Sequence, residues 1–253
     1  MGIETDLLLI FAGLIAGTID SIAGGGGLIT LPLLSQVLEP GAHAIGTNKI
    51  VGMSGALIAF LVYLKKQPFN FKKGFVFISA VGVGALMGSI CSPLLPKIYF
   101  RYLLIGACPL VLWLLWNKQI FIQEVKDHLP RPVSHLIIAG VAVGFYDGFF
   151  GPGGGTFMLL GLLWGVRLPL LEALLLSKLA NTVSAGVSLV SYGIQGYVHP
   201  RYGVVMAIGM LFGGFMGAKL ASNRAEKIVR PVLAFVVILL LFVQLREVLA
   251  SRV

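Results

Sequence analysis

The chain has 253 residues, of which 57% are hydrophobic and only 11% charged, with a formal net charge of +9. A soluble domain carries roughly 25% charged residues, so the charges here are too few to cover a water-facing surface. The apolar composition also excludes a disordered chain, and the two cysteines, Cys91 and Cys108, lack the neighbours of a disulfide scaffold, a metal site or a redox motif.

Eight apolar segments follow one another at roughly 7–38, 44–64, 74–95, 102–116, 134–167, 172–193, 203–222 and 231–245. A bilayer span needs about 20 apolar residues, so the expected fold is an all-α polytopic membrane protein. No basic residue precedes Leu7 and many apolar runs follow it, which sets the first segment apart from a lone signal peptide. That segment is too long for one span, and Gly24 to Gly27 interrupt it. A glycine run ends a helix and leaves limbs of about 16 and about 11 residues, the second about 16 Å long at 1.5 Å per residue. Broken backbone at that depth is tolerated only when buried in protein or lining a wet cavity. A helical hairpin or discontinuous helix with its glycine tip near the midplane is expected.

Segment two carries Gly46-Thr47-Asn48-Lys49 and closes at Tyr63, placed as an interfacial tyrosine would be. Segment three carries Gly82, Gly84 and Gly88, a small-residue face suited to close helix packing. Arg101, before segment four, reads as a headgroup anchor, as does Arg230 before segment eight. A polar stretch, 117–133, reads as a surface linker between a first unit, 1–116, and a second, 134–253. Segment five repeats the break as Gly151-Pro152-Gly153-Gly154-Gly155, segment six carries Ser177-Lys178-Leu179-Ala180-Asn181 and ends near Tyr192, and segment seven carries Gly209, Gly213, Gly214 and Gly217. His43 and His199, at segment ends, read as solvated.

The two units read as copies of each other. At an offset of 127, residues 12–27 match 139–154 at seven of sixteen positions, Asp20 with Asp147 among them. At an offset of 129 the matches continue through Lys49/Lys178, Tyr63/Tyr192, Gly84/Gly213, Gly88/Gly217 and Arg101/Arg230. Apolar composition produces glycine matches but not a shared Asp, Lys and Arg in order. If each broken element returns to its starting side the repeats are inverted, and eleven of the sixteen loop and terminal cations fall on one side; the parallel arrangement gives ten. Positive-inside asymmetry leans to the inverted form, with external termini and a cytoplasmic linker.

Asp20, Lys49, Asp147 and Lys178 lie inside apolar segments, where each unpaired charge costs roughly 2.5–3.5 kcal/mol. Either they pair with one another or they line a wet site. The motifs Ala16-Gly17-Thr18-Ile19-Asp20-Ser21-Ile22-Ala23-Gly24-Gly25-Gly26-Gly27, Gly46-Thr47-Asn48-Lys49, Gly144-Phe145-Tyr146-Asp147-Gly148-Phe149-Phe150-Gly151-Pro152-Gly153-Gly154-Gly155 and Ser177-Lys178-Leu179-Ala180-Asn181 resemble those of the TauE/SafE membrane-permease family of sulfite and organosulfonate transporters. The resemblance spans nearly the whole chain and is greatest to the bacterial inner-membrane branch. It implies transport of sulfur oxyanions or sulfonates in either direction and does not fix the substrate.

For such an anion the sequence offers bare amides at Gly25, Gly26, Gly27, Gly153 and Gly154, half-helix positive ends aimed at the tips, the charges of Lys49 and Lys178, and the flanking Thr47, Asn48, Ser177 and Asn181. Asp20 and Asp147 read either as proton carriers for coupling or as caps and lysine counter-ions. The expected partners are a small anionic solute and the lipid bilayer, with proton coupling and a homodimer left open; no nucleic acid, metal or cofactor is expected. An enzyme is not expected, because no H-E-x-x-H, nucleophile with a paired base or cysteine–histidine set occurs, and without a Walker loop an ATP-driven pump would need a separate ATPase subunit. An anion channel, a carrier of small carboxylates and a cation carrier using the two aspartates remain as alternatives.

Overall fold

The computed structural model describes residues 2–66, 71–96, 133–166, 168–223 and 231. The described residues contain helices and no strand. They form α1 (Ile3–Ala23), α2 (Gly27–Val37), α3 (Ala42–Leu64), α4 (Phe71–Cys91), α5 (Val133–Phe149), α6 (Gly154–Leu160), α7 (Leu170–Ile194) and α8 (Pro200–Asn223). A short 3₁₀ turn, Ser92–Leu94, follows α4, and a π-helical turn, Gly161–Val166, extends α6. Five of these helices, the fourth taken as Gly74–Leu94, are long and apolar enough to cross a membrane. The expected segments 102–116 and 231–245 (beyond Pro231), most of the linker 117–133, and Arg101 and Arg230 lie outside the described residues.

The helix starts differ from the hydropathy reading for a local reason. Segment one was expected to begin at Leu7, yet α1 begins at Ile3 and has 21 residues rather than about 16 before the break. Glu4 and Asp6 lie in its first turn, where carboxylates complement the positive end of the helix dipole. Hydropathy counts them as polar; the helix accepts them. Likewise α8 starts at Pro200, three residues before the apolar run: proline fits a first turn, where the N–H it lacks would have no intrahelical partner.

Both long segments break at glycine as expected. Gly24 takes a left-handed backbone, φ +84°, and its N–H caps α1 by donating to the Asp20 carbonyl. In the second break Gly151 and Gly153 adopt φ +97° and +75°, values costly for any residue with a Cβ.

The packing is inside-out relative to a soluble protein. Phe11, Phe75, Ile138 and Phe212 are exposed, whereas Asp20, Lys49, Asp147 and Lys178 are buried. One apolar core gathers Ala59, Tyr63, Phe77, Met158 and Leu174; another gathers Leu9, Leu31, Leu34, Phe150, Met206 and Met210.

Two tight seams join the first and second parts of the chain. Helix α4 lies against α5: a Cβ at Gly84 would come within 2.7 Å of the Phe145 amide nitrogen, one at Gly88 within 2.6 Å of that of Phe149, and one at Gly148 within 2.7 Å of the Ala85 Cα. Helix α8 lies against α1 in the same way: a Cβ at Gly213 would come within 2.9 Å of the Thr18 nitrogen, and one at Gly17 within 2.8 Å of the Gly214 nitrogen. Glycines alone allow backbones this close. The sequence predicted such faces; which helices they join is read only from the structure.

Candidate functional site

The four buried charges form two pairs. Lys49 on α3 places its Nζ 3.0 Å from Asp147 Oδ2 at the end of α5, and it also donates to the Asp147 backbone carbonyl. Lys178 on α7 places its Nζ 3.0 Å from Asp20 Oδ2 near the end of α1, and it donates to the Asp20 carbonyl as well. Each lysine therefore ties down the helix that leads into a glycine break, and each does so across the chain rather than within its own part. All four side chains are nearly inaccessible. In such a place a charge is tolerated only with a partner and further hydrogen bonds, and both are present.

The carboxylates differ in their remaining bonds. Asp20 Oδ1 accepts the Gly26 N–H at 3.2 Å, so this aspartate also folds the first glycine tip back on its own helix. Asp147 Oδ2 accepts the Ser184 hydroxyl at 2.6 Å, from α7.

The glycine tips touch each other. Gly24 packs directly on Gly155 and Thr156, and Thr156 Oγ1 donates to the Ala23 carbonyl at 2.9 Å. A Cβ at Gly27 would lie 3.5 Å from Pro152 Cα, 3.6 Å from Asn48 Nδ2 and 3.7 Å from the Gly151 carbonyl, and one at Gly151 would lie 3.4 Å from Lys49 Nζ. Gly27 and Gly151 keep partial exposure, whereas Gly24, Gly25, Gly26, Gly153, Gly154 and Gly155 are buried. A Cβ at Gly154 would run into the Asp147 carboxylate, and one at Gly26 would come within 2.7 Å of Asp20 Cβ.

The short polar residues separate into two groups. Asn48 reaches the first tip: its Oδ1 accepts the Thr30 hydroxyl at 2.6 Å. Asn181 reaches the second, with its Nδ2 3.1 Å from where a Gly155 Cβ would be. Thr47 instead accepts the His199 N–H at 3.0 Å, and Ser177 donates to the Leu174 carbonyl of its own helix. These last two are engaged by backbone, as helical Ser and Thr often are.

Two expectations are corrected. Tyr63 and Tyr192 are not interfacial: both are buried, and their hydroxyls donate to the carbonyls of Ser21 at 2.7 Å and Gly148 at 2.8 Å. A span-end position resembles an interface in sequence, but these rings turn inward because a backbone acceptor lies one residue beyond each aspartate. His43 and His199 are not simply solvated. Their rings meet with 3.1 Å between His199 Nε2 and His43 Nδ1, and the His43 ring also packs edge-on against Tyr197.

Sequence reasoning missed Ser184 and the serines beyond it on α7; the Asp147 contact comes from another helix. A groove of about 560 Å³ between α4 and α7 is lined by apolar side chains together with Ser191 and Gln195, and by none of the four charges. Among the described residues no cluster of three or more metal-ligating side chains occurs.

The family profile described as Sulfite exporter TauE/SafE matches residues 9–244. A "Probable membrane transporter protein" of Haemophilus influenzae is 33% identical over 234 residues, covering 91% of each chain. "Probable membrane transporter protein YfcA" of Escherichia coli K12 is 31% identical over 231 residues, 90% of this chain and 85% of the relative. "Probable membrane transporter protein ORF9" of a Sinorhizobium species is 32% identical over 240 residues, 92% and 89%. No solved structure matches.

Proposed function

The chain belongs to the TauE/SafE family of multi-pass membrane transporters, and from that premise we propose that it is a secondary carrier of small anions in the bacterial inner membrane, with sulfur oxyanions or organosulfonates as substrates. The observation that carries this reading is the reciprocal pairing of Lys49 with Asp147 and Lys178 with Asp20 at the foot of two touching glycine tips. A buried ammonium is expensive, and a purely structural interior would be served as well by apolar packing. Two lysines beside partly exposed glycine backbone supply what a sulfonate needs: full charge on one side and, on the other, the Gly27 amide at the positive end of α2, the Gly151 N–H being engaged by the Tyr146 carbonyl. Asn48 and Asn181 add donors that touch the tips.

A carrier is favoured over a channel because the tips close on each other through Gly24, Gly155 and Thr156. Such a contact must open and re-form with each passage. The inverted arrangement of residues 1–116 and 134–253 belongs to the same reading. Cysteines placed at positions 2 and 66 test it by labelling, with both reactive from one side counting against inversion.

Removing one lysine would strand an aspartate, so the clean test removes a pair. The double variant Lys49→Met with Asp147→Asn keeps the site neutral. In proteoliposomes it is expected to fold and to lose uptake of labelled sulfite or methanesulfonate. Uptake equal to the unaltered protein would overturn the assignment of this site.

A further inference from the structure

One helix face carries a row of polar side chains between the exposed Gln195 and Asp147. Ser184, Ser188 and Ser191 of α7 and Gln195 at its C-terminal cap are spaced by four, three and four residues, which sets them on one helix face. Gln195 is exposed, and its Nε2 donates to Ser191 Oγ at 3.1 Å. Ser191, Ser188 and Ser184 are buried. Ser184 closes the row on Asp147 Oδ2 at 2.6 Å. Ser188 is the telling member: its hydroxyl is buried and has no partner among the described residues. Buried hydroxyls are ordinarily satisfied, and this one stands midway between Ser191 and Ser184 on the same helix face. The positions 129 residues earlier are Gly55, Ala59, Val62 and Lys66, so the matching face of α3 carries no hydroxyl at these four places.

We propose that one proton accompanies each anion and that it reaches Asp147 along Ser191, Ser188 and Ser184, while Asp20 remains a fixed counter-ion. This rests on the anion-carrier reading above. The four buried charges cancel, so an anion entering the site adds an unbalanced charge. A proton bound by Asp147 restores the balance. One O–H bond forms on the carboxylate, its ion pair with Lys49 becomes an ordinary hydrogen bond, and the ammonium keeps its charge for the substrate.

The groups facing Asp147 fit this role. From α3 comes Lys49. From α7 come Ser184 and Tyr192, whose hydroxyl is already committed to the Gly148 carbonyl. From α6 comes the bare backbone of Gly154. None of these gains a proton, which leaves the carboxylate. Asp20 faces Lys178 and the Gly26 N–H, and Tyr63 near it donates to Ser21. A monoanion moved with one proton carries no net charge, and this assigns monovalent sulfonates or bisulfite as the preferred substrates.

The test uses the purified protein in vesicles with an internal pH dye, a potential clamped by potassium and valinomycin, and sulfite, methanesulfonate and thiosulfate as probes, each measured against protein-free vesicles. Methanesulfonate is expected to accumulate under an inward proton gradient, with one proton per anion, at a rate that an imposed potential leaves unchanged. Ser188→Val is expected to slow this net uptake about tenfold, yet leave anion–anion exchange at equal pH intact, since exchange releases no proton. Asp147→Asn is expected to make transport potential-sensitive and proton-free, and Asp20→Asn is not. Accumulation driven by potential at equal pH, or Ser188→Val slowing exchange and net uptake alike, would overturn the coupling while leaving anion transport in place. If none of the three anions crosses, the carrier reading fails and this inference with it. Should Asp147→Asn not fold, the clamp experiment on the unaltered protein decides alone.

Discussion

Lys49 Nζ lies 3.0 Å from Asp147 Oδ2, joining α3 to α5, the helix that leads into the second glycine break, across 98 residues of chain. Its counterpart, Lys178 with Asp20, spans 158. The two contacts fix where four helices meet, and they make the charges of the site a matter of long-range assembly.

Breaking one of these pairs should cost more than removing it. Lys49→Met leaves Asp147 buried with only Ser184, and loss of one partner of a buried pair costs roughly 3–5 kcal/mol. Adding Asp147→Asn should return most of that. Thermal unfolding of the two single variants and the double in detergent measures the coupling; single losses that simply add would show that the pair does not interact.

Gly26 and Gly27 should separate packing from binding. A Cβ at Gly26 meets Asp20 Cβ at 2.7 Å and the Ala16 carbonyl at 2.8 Å, an overpacking that costs roughly 1–3 kcal/mol. At Gly27 the nearest atom is 3.5 Å away, so Gly27→Ala should fold normally and still reduce transport, because the methyl covers backbone between the tips. Unfolding temperature and uptake rate, measured together, decide; full transport by Gly27→Ala would remove the tip as a binding surface.

The seam glycines should behave opposite to the open ones. Gly84→Ala and Gly213→Ala push a methyl into facing backbone and should lower stability by about 1–3 kcal/mol. Gly52 and Gly193 have nothing within 4 Å of an added Cβ, so alanine there should be neutral or stabilising by up to about 1 kcal/mol through helix propensity. A thermal-shift series over the four positions checks the sign of each.

Tyr63→Phe and Tyr192→Phe should each cost about 1 kcal/mol, the net worth of one buried hydrogen bond. The losses should be alike, because each hydroxyl serves the carbonyl one residue after an aspartate. An interfacial anchor would show no such loss in detergent, so chemical denaturation of the two variants distinguishes the positions.

Much of this arrangement is legible in the sequence, and the reason is local. Glycine runs must break helices, so both breaks fall where composition puts them, and apolar runs at 44–64 and 172–193 become helices at 42–64 and 170–194. The four charged residues stand out because hydrocarbon tolerates so few. What does not show is partnership. Nothing near Lys49 says that its carboxylate is Asp147 rather than Asp20, and nothing near Tyr63 says that its ring turns inward. Ser184 and Ser188 look like ordinary helical serines until another helix brings a carboxylate to one of them.

The reciprocal pairing has a consequence for how the protein is made. Residues 1–66 leave the ribosome carrying Asp20 and Lys49 well before either finished partner, Lys178 or Asp147, has been synthesised. Until then each of those two early charges must be sheltered by water, by the insertion machinery or by a provisional neighbour. A chain cut in the 117–133 stretch would give two fragments, each holding one lysine and one aspartate whose final partners are in the other. Neither fragment is a half-transporter; co-expressed, they are expected to be recovered together or be degraded separately, because quality control at the membrane sees unmatched charge until both are present.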